Sequence, residues 1–134
     1  MADPNVIGDD EVLLRRLPPG ATWLKEPGPV PTSLTVRLRP GESSLSVSRQ
    51  SMTTPRRLLE LADATPGDGW RVMAARASDL RAFGLLVRPD PTTEDPGHAA
   101  LEPSGLDLTD KQVCRRLVRL FTLLPEDLSP PPSE

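Results

Sequence analysis

Asp90, Glu94, Asp95 and His98 fall within nine residues, the only place in the sequence where acids stand close to the sole histidine. A carboxylate beside an imidazole can orient a general base, and three acids with one imidazole could hold a divalent cation. The spacing matches no ligand motif, however, and Pro89, Pro91 and Pro96 stiffen the stretch. Asp90 and Asp95 therefore read first as turn-forming residues ahead of prolines. The hydroxyls of Ser44, Ser46, Ser48, Ser51 and Thr53 lie outside any Gly-x-Ser-x-Gly motif and read as a solvated strand face. Cys114 stands beside Arg115 and Arg116, where positive charge would activate a thiol, but Val113 and Leu117 place it next to an apolar stripe and favour an inert, half-buried group. The glycines form neither a dinucleotide fingerprint nor a phosphate loop, and one cysteine with one histidine excludes the common zinc cages. No catalytic residue, metal or cofactor is assigned on these grounds.

The basic residues offer a surface instead. Arg37, Arg39 and Arg49 fall on an expected β-hairpin, and Lys111, Arg115 and Arg119 on the polar face of an expected last helix. These six form the candidate interaction surface, since arginine is enriched at protein interfaces. Nucleic acid is disfavoured as the main partner. Net charge is −3 with a pI near 5.2, and two Phe, two Trp and no Tyr leave few platforms for stacking bases. Charge is segmented: residues 89–110 carry −6, while 31–88 and 111–124 carry +4 each. Internal neutralisation between the acidic segment and the Arg-bearing surfaces is the simplest expectation.

These residues must be positioned by a chain of 134 residues, enough for one domain with a modest core. Seventeen prolines and nine glycines limit the length of regular elements. Residues 1–10 and the Pro-rich 126–134 read as disordered ends around a single domain at 11–125. Leu34, Val36 and Leu38 alternate with polar residues, as do Leu45 and Val47, which predicts a hairpin turning at Pro40-Gly41. Thr54-Pro55 opens a helix that ends before Pro66-Gly67-Asp68-Gly69. Trp70–Ala77 reads as a central strand, Ser78 as the cap of a short helix over 79–83 stopped by Gly84, and 85–87 and 98–101 as further strands. Thr109 and Gln112 form a capping box, and Val113, Leu117, Leu120, Phe121 and Leu124 form one stripe of a helix that Pro125 stops. The predicted class is α+β, a small mixed or antiparallel sheet with two or three helices packed on one side and flexible termini.

Leu14-Arg15-Arg16-Leu17-Pro18, the Ser44–Val47 strand, and the series Arg71-Val72-Met73-Ala74-Ala75, Asp79-Leu80-Arg81, Gly84-Leu85, Val87-Arg88-Pro89-Asp90-Pro91 and Pro96-Gly97-His98-Ala99 together resemble a group of small bacterial proteins of uncharacterised activity. The resemblance spans residues 11–102 and implies one coherent fold there, with no activity or cofactor to carry over. No stretch approaches 18 apolar residues, and the opening residues lack a basic segment followed by an apolar run, so a soluble, cytoplasmic chain without membrane contact is expected. The leading expectation is a small non-catalytic adaptor or accessory subunit that contacts another protein. One alternative is a small enzyme or metal-dependent protein centred on the Asp90, Asp95 and His98 loop. A second is a nucleic-acid-binding accessory protein.

Overall fold

The computed structural model describes residues 5–20, 22–25, 30–62 and 69–125, so the expected tail at 126–134 lies outside the described residues. In chain order the elements are β1 (Val12–Leu17), β2 (Leu24–Lys25), β3 (Val30–Pro31), a 3₁₀ turn (Ser33–Val36), β4 (Leu45–Arg49), α1 (Pro55–Glu60), β5 (Arg71–Arg76), α2 (Ala77–Phe83), β6 (Leu85–Pro89), β7 (His98–Pro103), α3 (Lys111–Val118) and β8 (Thr122–Leu123). Six strands form one sheet in the order β6-β7-β4-β1-β5-β8, with every pairing antiparallel, and β2 and β3 form a separate antiparallel pair. The class is α+β.

The sheet is built around β1, where Leu13, Leu14 and Leu17 are all buried. Successive side chains on a strand point to opposite faces, and both faces here are covered. Leu13 and Leu17 join Val47, Met73, Leu101, Leu80 and Leu117 in the larger core under α2 and α3. Leu14 joins Val72, Leu58, Leu59 and Leu124 in a smaller core under α1. The helices thus divide between the two faces rather than sharing one side.

Several expected elements form for the local reasons given. Thr54 caps α1 by accepting from the Arg57 N–H at 3.1 Å, with Pro55 in the first turn. Gly84 ends α2 at φ 119°, and a β-carbon there would meet Leu106 at 3.0 Å.

Elsewhere tertiary structure prevails. The hairpin strand expected over 34–39 is replaced by the 3₁₀ turn, because the Thr35 hydroxyl and N–H both donate to the Thr32 carbonyl, at 2.7 and 3.0 Å. Val36 is thereby driven into the core against Cys114. Strand β4 consequently pairs with β1 and β7. Helix α2 starts at Ala77 without help from Ser78. Its first N–H groups, on Ala77 and Ser78, donate to the carbonyls of Glu11 and Asp9 at 2.9 and 3.0 Å. The stretch from Ile7 to Asp10 is accordingly structural: Ile7 is 3% exposed within the main core, and Asp9 pairs with Arg81 at 2.6 Å. The boundary expected at residue 11 therefore moves to before Ile7. Asp110, rather than Thr109, caps α3, accepting from the N–H groups of Gln112 and Val113 at 2.8 and 3.3 Å, while Thr109 is drawn to Asp107. The helix stops at Val118 because Phe121 and Leu124 are buried in different cores, on opposite faces of the sheet, which one helical stripe cannot achieve.

Candidate functional site

Strands β1 and β4 are in register only at Leu13↔Arg49 and Leu14↔Ser48, whereas β1 stays paired with β5 as far as Leu17. Beyond Leu14 the two strands part, and a groove of about 310 Å³ opens there. Arg15 fills the base of the gap. Its Nε donates to the Thr35 carbonyl and its Nη1 to the Ser46 carbonyl, both at 2.7 Å, so that a side chain spans strands that no longer share a ladder. The side chain is half-buried. Burial pushes its pKa down to about 10; Glu42 opposes that shift, and the neighbouring charges of Arg39 and Arg16 add to it.

Three further arginines line the groove. Arg16, one residue along β1, points to the other face and donates from Nη1 to the Leu58 carbonyl of α1 at 3.1 Å. Arg39 lies with its guanidinium 5.5 Å from the centre of the Trp23 ring, within cation–π range. Arg37 is exposed, and its side chain makes no hydrogen bond or ion pair with a described residue. Trp23 and Trp70, the only tryptophans of the chain, stand in the walls. Among the described residues one carboxylate, Glu42, lines the groove, and its Oε1 accepts from the Arg39 backbone N–H at 2.8 Å. Among the described residues the groove is lined by more cations than anions and is partly aromatic.

The remaining candidate residues have other places. Arg49 is 5% exposed and pairs through Nε with Glu11 Oε1 at 2.9 Å, so it belongs to the interior and not to the interaction surface. Its register opposite Leu13 turns it toward the face covered by the larger core. Lys111 and Arg115 are exposed on α3, and Arg119 is exposed at its C-cap. Cys114 is fully buried, with Sγ donating to the Leu108 carbonyl at 3.2 Å, and burial raises its pKa, which makes it an inert packing group.

The acidic loop closes on itself. Asp95 is buried; its Oδ2 accepts from Ser48 Oγ at 2.6 Å and its Oδ1 from the Gly97 N–H at 3.1 Å. Thr92 and Asp95 exchange bonds across a tight turn. His98 Nδ1 lies 2.9 Å from the Asp90 carbonyl and 3.3 Å from its carboxylate, and Glu94 is exposed. A cleft of about 150 Å³ separates this loop from α1. Asp95 faces Ser48 while Asp90 faces His98, so the four residues do not converge, and among the described residues no group of three or more His, Cys, Asp or Glu is placed to hold a metal ion. The Ser48 hydroxyl gives its proton to a carboxylate, which leaves it without an imidazole partner in hydrogen-bond contact. Of the 89–110 acids, Glu102 pairs with Arg88 and Asp110 caps α3, while Asp107, held by Thr109, lies close enough to Arg37 for the two charges to interact.

Arg15, Arg16, Trp23 and Trp70 were not marked by spacing. The one available signal was the pair of arginines inside the otherwise apolar run Val12-Leu13-Leu14-Arg15-Arg16-Leu17. Among the described residues no helix is long and apolar enough to cross a membrane. Comparison of the chain with protein-family models, with curated proteins and with solved structures finds no match.

Proposed function

We propose that the chain is a small non-catalytic adaptor or accessory subunit of the cytoplasm that works by contact with another protein, and that the groove beside Arg15 is the contact surface. The observation that carries this reading is the gathering of four arginines and both tryptophans around one opening where, among the described residues, Glu42 is the one carboxylate. Arginine and tryptophan dominate the energetics of protein interfaces, because each combines a large apolar body with directional donors. Leu34, 40% exposed, adds an apolar rim. A reducing compartment suits a chain whose one cysteine packs as a thiol.

The test is positional. A photo-crosslinking amino acid is placed at Leu34 or Arg37 on the groove, at Arg56 on α1, or at Arg115 on α3, each in the full chain in its own cells. Adducts of one discrete mass from the groove positions, with none from Arg56, support the reading. Adducts from Arg115 alone would move the contact surface to α3, and none from any groove position would remove the groove from consideration.

A second reading, a small enzyme, draws on one observation: Asp90 holds the His98 ring in a fixed orientation at the edge of the smaller cleft. His98→Ala would abolish the cellular activity of an enzyme and leave that of an adaptor intact.

A further inference from the structure

We infer that Arg15 is the anchor of the groove and that its occupant is an acidic segment of a partner protein, one Asp or Glu carboxylate of which seats on Arg15 Nη2. This rests on the reading of the groove as the contact surface and adds the chemistry of what it contacts.

A guanidinium carries five N–H donors in a fixed fork. Arg15 commits Nε and one hydrogen of Nη1 to backbone carbonyls, which orient the group without supplying countercharge. Nη2 makes no hydrogen bond with any described residue. Burial and the neighbouring charges of Arg39 and Arg16 disfavour the cation, and the charge of Glu42, whose Oε1 also accepts from the Arg39 backbone N–H, offsets them only in part, so a further anion on Nη2 is favourable. Because the fork is already held from two sides, little side-chain entropy is lost when the anion binds.

The walls select among anions. Trp23, Trp70 and Leu34 offer apolar and aromatic surface that a free inorganic anion cannot use, whereas a peptide with aliphatic neighbours beside its carboxylate can. A polyanion such as nucleic acid would meet a protein of net charge −3, so long-range attraction is lacking. An acidic segment of moderate charge, with apolar residues between its acids, satisfies both conditions.

The experiment uses the two tryptophans as reporters, since both line the groove and no other tryptophan contributes. Tryptophan emission of the full chain is followed while adding a tryptophan-free peptide of alternating Glu and Leu, the matched Gln-Leu peptide, inorganic phosphate, or a single-stranded oligonucleotide. The acidic peptide is expected to give a saturable change that weakens with salt, and the Gln peptide to bind about tenfold more weakly or worse. Arg15→Met, confirmed folded by circular dichroism, is expected to lose about tenfold in affinity, and exposed Arg37→Gln about two- to threefold.

Should Arg15→Met fail to fold, the double variant Arg37→Gln/Arg39→Gln decides: a weakened response that keeps its salt dependence supports the proposal, and an unchanged or a salt-insensitive one overturns it. Wild-type affinity in a folded Arg15→Met variant overturns the anchor while leaving the groove reading in place. Phosphate or oligonucleotide binding as tightly as the acidic peptide overturns the choice of partner. No emission change with any probe, while crosslinks from Leu34 and Arg37 persist, overturns the acidic chemistry alone. Loss of both signals would end the groove reading itself.

Discussion

The loop at 90–98 and the groove beside Arg15 are both polar clefts at the sheet, and they treat their charges in opposite ways. In the loop every acid but Glu94 has a partner within a few residues or directly across the sheet: Asp95 on Ser48 and Gly97, Asp90 on His98. In the groove, among the described residues, the cations outnumber the carboxylates, and the hydrogen bonds that fix Arg15 go to carbonyls alone. A cluster that is dense in sequence satisfies itself through turns. A cluster assembled from β1, the 34–39 segment and the approach to β5 has no local route to neutrality. If that contrast is sound, substitutions in the internally paired networks cost stability, and substitutions in the groove cost binding.

The largest effect is expected at Arg49, the residue that moves from the anticipated surface to the interior. Arg49→Ala leaves the half-buried Glu11 carboxylate with its Ser51 hydrogen bonds alone and should destabilise by about 3 kcal/mol in chemical denaturation. A loss below about 1 kcal/mol would return Arg49 to the surface set. The same pair makes a pH prediction. Burial works to raise the Glu11 pKa, but hydrogen bonds from Ser51 and Arg49 overcome it and hold the group below its ordinary 4.5. A depressed carboxylate contributes stability above its unfolded value and loses it as pH falls through the folded one. The gap between wild type and Arg49→Ala should therefore be full above pH 4.5 and narrow at lower pH.

Next in size is Asp95→Ala, which removes the acceptor for both the Ser48 hydroxyl and the Gly97 N–H and should cost about 2–3 kcal/mol. Asp95→Asn keeps one oxygen and should recover part of that. Equal losses for the two would mean that the negative charge, rather than the bonding of the turn, is what the loop requires.

These residues also show how far the chain could be read unaided. Thr54-Pro55 and Gly84 act over one turn, so α1 and the end of α2 were legible. So was the turn character of Asp95. The alternation at Leu34, Val36 and Leu38 suited a strand equally well, but a bond between Thr35 and Thr32 and the docking of Val36 beside α3 decided otherwise. Phe121 and Leu124 shared an apparent helical stripe, yet they serve opposite faces of a sheet whose existence the stripe does not encode. The groove was the least legible part, because its anchor is set by where β1 and β4 part company. Arg15 meets Ser46 across 31 positions, and Arg49 meets Glu11 across 38, separations at which residue type alone does not distinguish a surface cation from an interior one.

On the groove side the expected effects on stability are small. Arg37→Ala should shift the thermal midpoint by no more than about 2 °C, since its side chain bonds to no described residue, while weakening the response to an acidic peptide. Arg119→Ala at the C-cap of α3 should leave both unchanged. A matching loss of binding at Arg119 would show that charge anywhere on the surface suffices, and the distinction between an organised groove and a merely basic face would fail.

The smallest effect is the one expected from divalent cations. A site occupied at a hundredfold excess over its dissociation constant would add about 2.7 kcal/mol, readily seen as a thermal shift. The loop is not arranged to give it. Both oxygens of Asp95 already accept hydrogen bonds, the His98 Nδ1 is taken up by Asp90, and Glu94 stands exposed without a second ligand beside it. Zinc would have to break the Ser48–Asp95 bond to gather one imidazole and two carboxylates, and magnesium or manganese would meet even fewer oxygens in the right geometry. Zinc, manganese and magnesium should therefore leave the midpoint unchanged in wild type and in His98→Ala alike. A chelator-reversible rise of several degrees that His98→Ala abolishes would show that the loop can open toward a ligand, and it would shift the centre of function from the arginines to the acids.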